Sequence, residues 1–103
     1  MSFFSSQKES GVFLVIDVGS GSVGGAIVLR SLTHAPTVLY SFRSEIPFQE
    51  AATGARLLSL MLRSLSQVVL ALTHEGFDVA GLGNHQSKVR EVLVSLGAPW
   101  VIS

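Results

Sequence analysis

The chain has 103 residues, no cysteine, and a formal net charge of zero from seven basic and seven acidic residues. That length holds one small domain. The lack of cysteine excludes a disulfide scaffold and a thiolate metal site, and the balanced charge offers no basic stripe for a nucleic-acid backbone, so no nucleic-acid partner is expected.

Residues 1–10 read as a flexible lead, without the basic start and long apolar core of a signal peptide. Residues 12–18 are a continuous β-branched and aromatic run bounded by Gly11 and Gly19, the pattern of a strand buried on both faces. Gly19-Ser20-Gly21-Ser22 is a turn and Val23 to Arg30 a second strand, so the two form a hairpin. Ser31 to Pro36 is a short loop. Thr37 to Ile46 alternates, with Val38, Tyr40 and Phe42 on one face and Leu39, Ser41 and Arg43 on the other; Pro47 ends this third strand.

The period changes over residues 53–75. Leu57, Met61, Leu65, Val68 and Leu72 form an apolar stripe that Leu58, Leu62 and Val69 widen, opposite a polar face with Arg56, Ser59, Arg63, Ser66 and Gln67. This is a long amphipathic helix, with Thr53 as N-cap and Gly76 as C-terminal glycine cap. Its polar interruptions fall short of the about 20 largely apolar residues of a membrane span, and none is expected. Phe77 to Lys88 is a polar connection, Val89 to Leu96 a fourth strand, Gly97-Ala98-Pro99 a break, and Trp100 starts a further element. His34, His74 and His85 have no ligand spacing and read as surface residues. Three antiparallel strands, a crossover helix and a fourth strand make an α/β layer. The 14% charged residues and mean hydropathy of +0.52 suggest apolar faces that need covering.

The chemically informative segment is Ile16-Asp17-Val18-Gly19-Ser20-Gly21-Ser22-Val23-Gly24-Gly25. An acid lies inside an apolar strand just before a Gly/Ser turn. A carboxylate there needs a cation or partner, and a hydrated Mg²⁺ is held by one or two carboxylates plus phosphates. Glycines allow close backbone approach, successive turn amides can cradle an anion, and the Ser20 and Ser22 hydroxyls add donors. The bland alternative is a Gly-rich hairpin turn beside a solvated Asp. Glu45, Glu50 and Glu75 are unpaired in sequence and read as solvated carboxylates.

The run Asp17-Val18-Gly19-Ser20-Gly21-Ser22-Val23 resembles the first phosphate motif of the actin, sugar-kinase and heat-shock chaperone ATPase superfamily, and Val92 to Pro99 is similar to a strand of its bacterial FtsA and PilM branch. The resemblance implies a ribonuclease H-like, actin-like ATPase subdomain over residues 11–103, expected to be the first and incomplete part of that domain. It implies ATP and Mg²⁺ as ligands, with Asp17 holding the metal through water and Gly19, Ser20, Gly21 and Ser22 contacting phosphates. Gly24 stands where actin has a phosphate-contacting lysine. The implied role is that of an assembly or scaffold protein of cell division or type IV pili, cytoplasmic or peripheral at the inner face of the membrane. Such a protein partners with itself and a membrane-associated machine, and a weak ATPase is expected of a full-length protein rather than of these 103 residues. A sugar or small-molecule kinase of the same superfamily, and a structural α/β domain without nucleotide, are the alternatives. The short loop at residues 31–36 leaves little room for a kinase's substrate-binding insertion.

Overall fold

The computed structural model describes residues 11–47, 53–82 and 89–97. The lead over residues 1–10, the connection from Gly83 to Lys88 and the element expected from Trp100 lie outside the described residues. The elements are β1 (Gly11–Val18), β2 (Ser22–Arg30), β3 (Thr37–Glu45), α1 (Gly54–Ala71) continuing through a π-helical turn (Leu72–Gly76) into α2 (Phe77–Val79), and β4 (Val89–Leu96). The strands form one mixed sheet in the order β3-β2-β1-β4, with β1–β2 and β2–β3 antiparallel and β4 parallel to β1. The described residues thus form an α/β layer of four strands and one main helix.

The core lies between the helix and one face of the sheet. Val12, Leu14, Ile16 and Val18 of β1, with Val23 and Ile27 of β2, meet Met61, Val68, Leu72 and Phe77. The helix rests on β2 and β3. Its closest approach is at Gly25, where an added Cβ would stand 2.5 Å from Val68 Cγ1 and 2.9 Å from Leu72 Cδ1. Two polar contacts fix the helix along β3: Ser44 Oγ donates to Gln67 Oε1 at 2.6 Å, and Ser64 Oγ donates to the Glu45 carbonyl at 3.0 Å. Both serines are buried, so these bonds satisfy groups that would otherwise be costly inside.

The helix departs from the sequence reading in three ways. Thr53 is the N-cap, its Oγ1 accepting from the Arg56 amide at 3.1 Å, but Gly76 is not the C-terminal cap. The helical path continues to Val79 and closes at Gly81, which has a φ of 77°. Leu82 N–H reaches the Phe77 carbonyl at 2.8 Å and Gly81 N–H the Asp78 carbonyl at 3.1 Å, a Schellman motif. Second, Phe77 belongs to the core and not to a polar connection. Leu72 and Phe77 are five residues apart, and the π-helical turn brings both onto the sheet face. Gly76 is needed there because Tyr40 Cδ2 and Ile27 Cδ1 would be 2.8 and 2.9 Å from its Cβ. Third, Leu58, Leu62 and Val69 do not widen the buried stripe; Leu60 and Ser64 are buried instead, and those three are exposed. From Gly54 to Val79 the helix has the length and hydropathy that a membrane span requires, although in this fold it is also the core helix.

Strand β3 also departs from strict alternation. Ile27 faces Tyr40 while Val28 faces Val38, so Leu39 is an extra residue, a β-bulge. Leu39 and Tyr40 both pack on the core, and Val38 turns outward. On the other side of the sheet, Val92, Val94 and Leu96 of β4 pair with Leu14, Ile16 and Val18. They share the helix-side face, yet remain 52%, 54% and 49% exposed because the helix does not extend over them.

Filling the closest helix–sheet contact has a definite expected cost. Gly25→Ala should destabilise the fold by about 1–3 kcal/mol, since Val68 and Leu72 cannot both retreat without lifting the helix. A lowered urea midpoint measures this; an unchanged midpoint would show that the helix is not seated at Gly25.

Candidate functional site

The β1–β2 connection is three residues, Gly19 to Gly21, and its rim is held by backbone bonds on both sides. Gly97 N–H donates to the Val18 carbonyl, Ile46 N–H to the Gly21 carbonyl, and Gly19 N–H to the Ser22 carbonyl, each at 2.9 Å. The ends of β3 and β4 therefore brace the turn. Neither turn glycine has a positive φ. The left-handed residue of an alternating αR–αL anion nest is not supplied by either of them, and the Gly19 amide is already engaged within the turn. At Gly21 an added Cβ would meet nothing within 4 Å. Ser20 and Gly21 are exposed at the tip, with Ser22 half-buried at the start of β2.

Asp17 is the penultimate residue of β1, and strand alternation sends its side chain to the sheet face opposite the helix. Val15, Asp17, Gly24, Ala26, Ser41 and Arg43 line a groove there, with a volume of about 320 Å³. In register, Asp17 faces Gly24 and Gly24 faces Arg43, so the three form one row across β1, β2 and β3. Gly24 has no side chain, and the Arg43 guanidinium lies across it; an added Cβ would be 2.7 Å from Cζ. From that position Arg43 Nη1 donates to Ser22 Oγ at 2.7 Å, while Nη2 stands 3.8 Å from Asp17 Oδ2.

The structure therefore brings Asp17 and Ser22 together through Arg43, with Ser20, Gly19 and Gly21 at the adjacent tip. The alternation of β3 puts Arg43 on one face with Leu39 and Ser41 and gives it no role. The clue to its role is the register of three strands with a glycine in the middle one, which a single strand's pattern does not contain. The Asp17–Arg43 contact is of ion-pair length but too long for a hydrogen bond, and the two side chains are 57% and 55% exposed. Such pairs contribute below about 1 kcal/mol, so a competing ion can part them at small cost.

Asp17 fits a hydrated Mg²⁺ in one respect: it is a single accessible carboxylate on a groove, the kind of ligand Mg²⁺ uses beside phosphates and water. Among the described residues no group of three or more His, Asp or Glu gathers into a metal cage. A cation at Asp17 would have to draw its remaining ligands from solvent and phosphate. His34 is engaged locally, its Nδ1 2.8 Å from Thr33 Oγ1 in the β2–β3 loop.

The contrast between two neighbouring glycines makes a prediction. Gly24→Ala should change stability by no more than about 0.5 kcal/mol, because the added methyl displaces only the end of an exposed, flexible arginine. The Arg43 contact with Ser22 should be lost, visible as a shift of the Arg43 side-chain resonances in NMR. A loss of stability as large as that expected for Gly25→Ala would mean that Arg43 is rigidly held.

No protein-family model matches the chain, and comparison with curated proteins likewise finds no match.

Proposed function

We propose that this chain is the phosphate-gripping subdomain of an actin-like, ATP-binding protein of ribonuclease H-like fold. Asp17 would hold Mg²⁺ through water, and Gly19, Ser20, Gly21 and Ser22 would receive phosphate. The observation that carries this reading is the cluster of Asp17, Ser22 and Arg43 around Gly24, on the sheet face opposite the helix at a braced turn. The arrangement of three antiparallel strands, a helix and a fourth strand parallel to the first agrees with the subdomain that the sequence resemblance implies.

The chemistry follows from the donor types. A carboxylate on a groove retains a hydrated divalent cation when phosphate oxygens complete its shell. Hydroxyl and amide donors at the turn tip suit phosphate oxygens, and Mg²⁺ would supply charge neutralisation between the carboxylate and the phosphates. With Asp17 assigned to the cation, none of the other residues named here carries a base that could activate water. ATP is accordingly read as an assembly and conformational ligand, in the manner of the FtsA and PilM branch, with self-association and a membrane-associated machine as partners. The loop from Ser31 to Pro36, where Ser31, Thr33 and His34 bond to one another, contains no insertion and leans away from a kinase.

Calorimetry of Mg²⁺-ATP binding by the full-length protein and its Asp17→Ala variant tests this. Wild type should bind, and the variant should bind about tenfold or more weakly, mainly when Mg²⁺ is present. No binding by the wild type, or equal binding by both, would leave a structural α/β domain.

A further inference from the structure

We propose that Arg43 is the anion receptor of this site and that Asp17 holds it in reserve until a divalent cation takes the carboxylate. The proposal rests on the phosphate-site reading above, and adds to it the source of positive charge and a coupling between metal and phosphate.

Three observations lead here. First, the donors that the turn offers are neutral, and the Gly19 amide is engaged within it. A polyphosphate needs charge as well as amides. Second, among the described residues that line the groove, Arg43 is the cationic one. Its guanidinium carries five donors in a planar fork suited to phosphate oxygens. One nitrogen is used on Ser22 Oγ, and the other stands beyond hydrogen-bond distance from Asp17. Third, its position is built into the sheet. An arginine at the edge strand β3 reaches the end of β1 only by lying over β2, and Gly24 is the residue that leaves room for it.

The charges explain the reserve. Asp17 and Arg43 sum to zero, so free phosphate meets no net attraction at the groove. A divalent cation on Asp17 turns the local charge positive and releases the guanidinium, so metal and phosphate strengthen each other's binding. Reciprocity of linked equilibria requires the coupling to run both ways. An arginine that served only to tie β3 to β1 would leave phosphate affinity unchanged when removed.

The experiment is calorimetry on the full-length protein with two probes, inorganic tripolyphosphate in a metal chelator and ATP with Mg²⁺. Asp17→Asn removes the carboxylate's charge and should bind metal-free tripolyphosphate about tenfold tighter than wild type, although it binds Mg²⁺-ATP more weakly. Arg43→Ala should weaken both probes about tenfold, while Arg63→Ala, an equal charge change on the exposed side of α1, should match wild type. Gly24→Ala keeps the charge and moves it, and should fall between Arg43→Ala and wild type; it decides the matter if Arg43→Ala does not fold. If Arg43→Ala binds Mg²⁺-ATP like wild type, Arg43 is only a structural tie and this inference falls while the nucleotide reading stands. If Asp17→Asn binds metal-free tripolyphosphate no tighter than wild type, the reserve is disproved. If wild type binds neither probe, both readings fall together.

Discussion

Near the start of β2 the sheet carries two successive residues without side chains, and both of its faces are arranged around that gap. Because strand side chains alternate, Gly24 and Gly25 open opposite faces. Through Gly25 the helix comes down until Val68 and Leu72 touch the sheet backbone. Through Gly24 an arginine lies flat across three strands. Each glycine costs strand propensity, about 0.5–1 kcal/mol, which the close packing on one side offsets. A methyl at Gly25 would lift the helix, whereas one at Gly24 would displace only the end of the Arg43 side chain.

The seating of the helix reaches the candidate site along β3. Glu45, the last residue of β3, accepts from Ser64 on the helix, and Ile46, the next residue, donates to Gly21 in the turn. The turn's geometry is thus referred to the helix through two consecutive residues. On its other side, Gly97 ties the end of β4 to Val18. The turn from Gly19 to Gly21 is held by backbone bonds from outside rather than by strained dihedrals within it. A rigid frame around loose side chains suits a site whose charges must exchange partners.

Much of the fold was legible in the sequence. The β-branched run before Gly19, the Gly/Ser turn, the change of period after Pro47 and the threonine cap each have a local physical cause, and local causes can be read from one strand or helix at a time. What escaped were features set by contacts between elements. The bulge at Leu39 follows from packing Leu39 and Tyr40 together on the core. The π-helical turn follows from the five-residue spacing of Leu72 and Phe77, which an ordinary helical period sends to different faces. Gly76 looked like a cap because glycine often ends helices, yet it is there because Tyr40 and Ile27 leave no room for a Cβ. At the site, Asp17 and Ser22 were legible as neighbours of the turn. Arg43, about twenty residues further on, became visible only with the three-strand register.

Strand β4 leaves one matter open to the molecule itself. Among the described residues it is an edge strand, with β1 on one side and no strand on the other. Val92, Val94 and Leu96 stand half-exposed along it, with neither lysine nor proline from Val89 to Leu96 to blunt the edge. An edge of this kind is a template for another strand. Sheet extension, with hydrogen bonds continuing from β4 into a neighbouring segment or molecule, would cover the apolar row of Val92, Val94 and Leu96. Left uncovered, the same edge is where misassembly of this protein would begin.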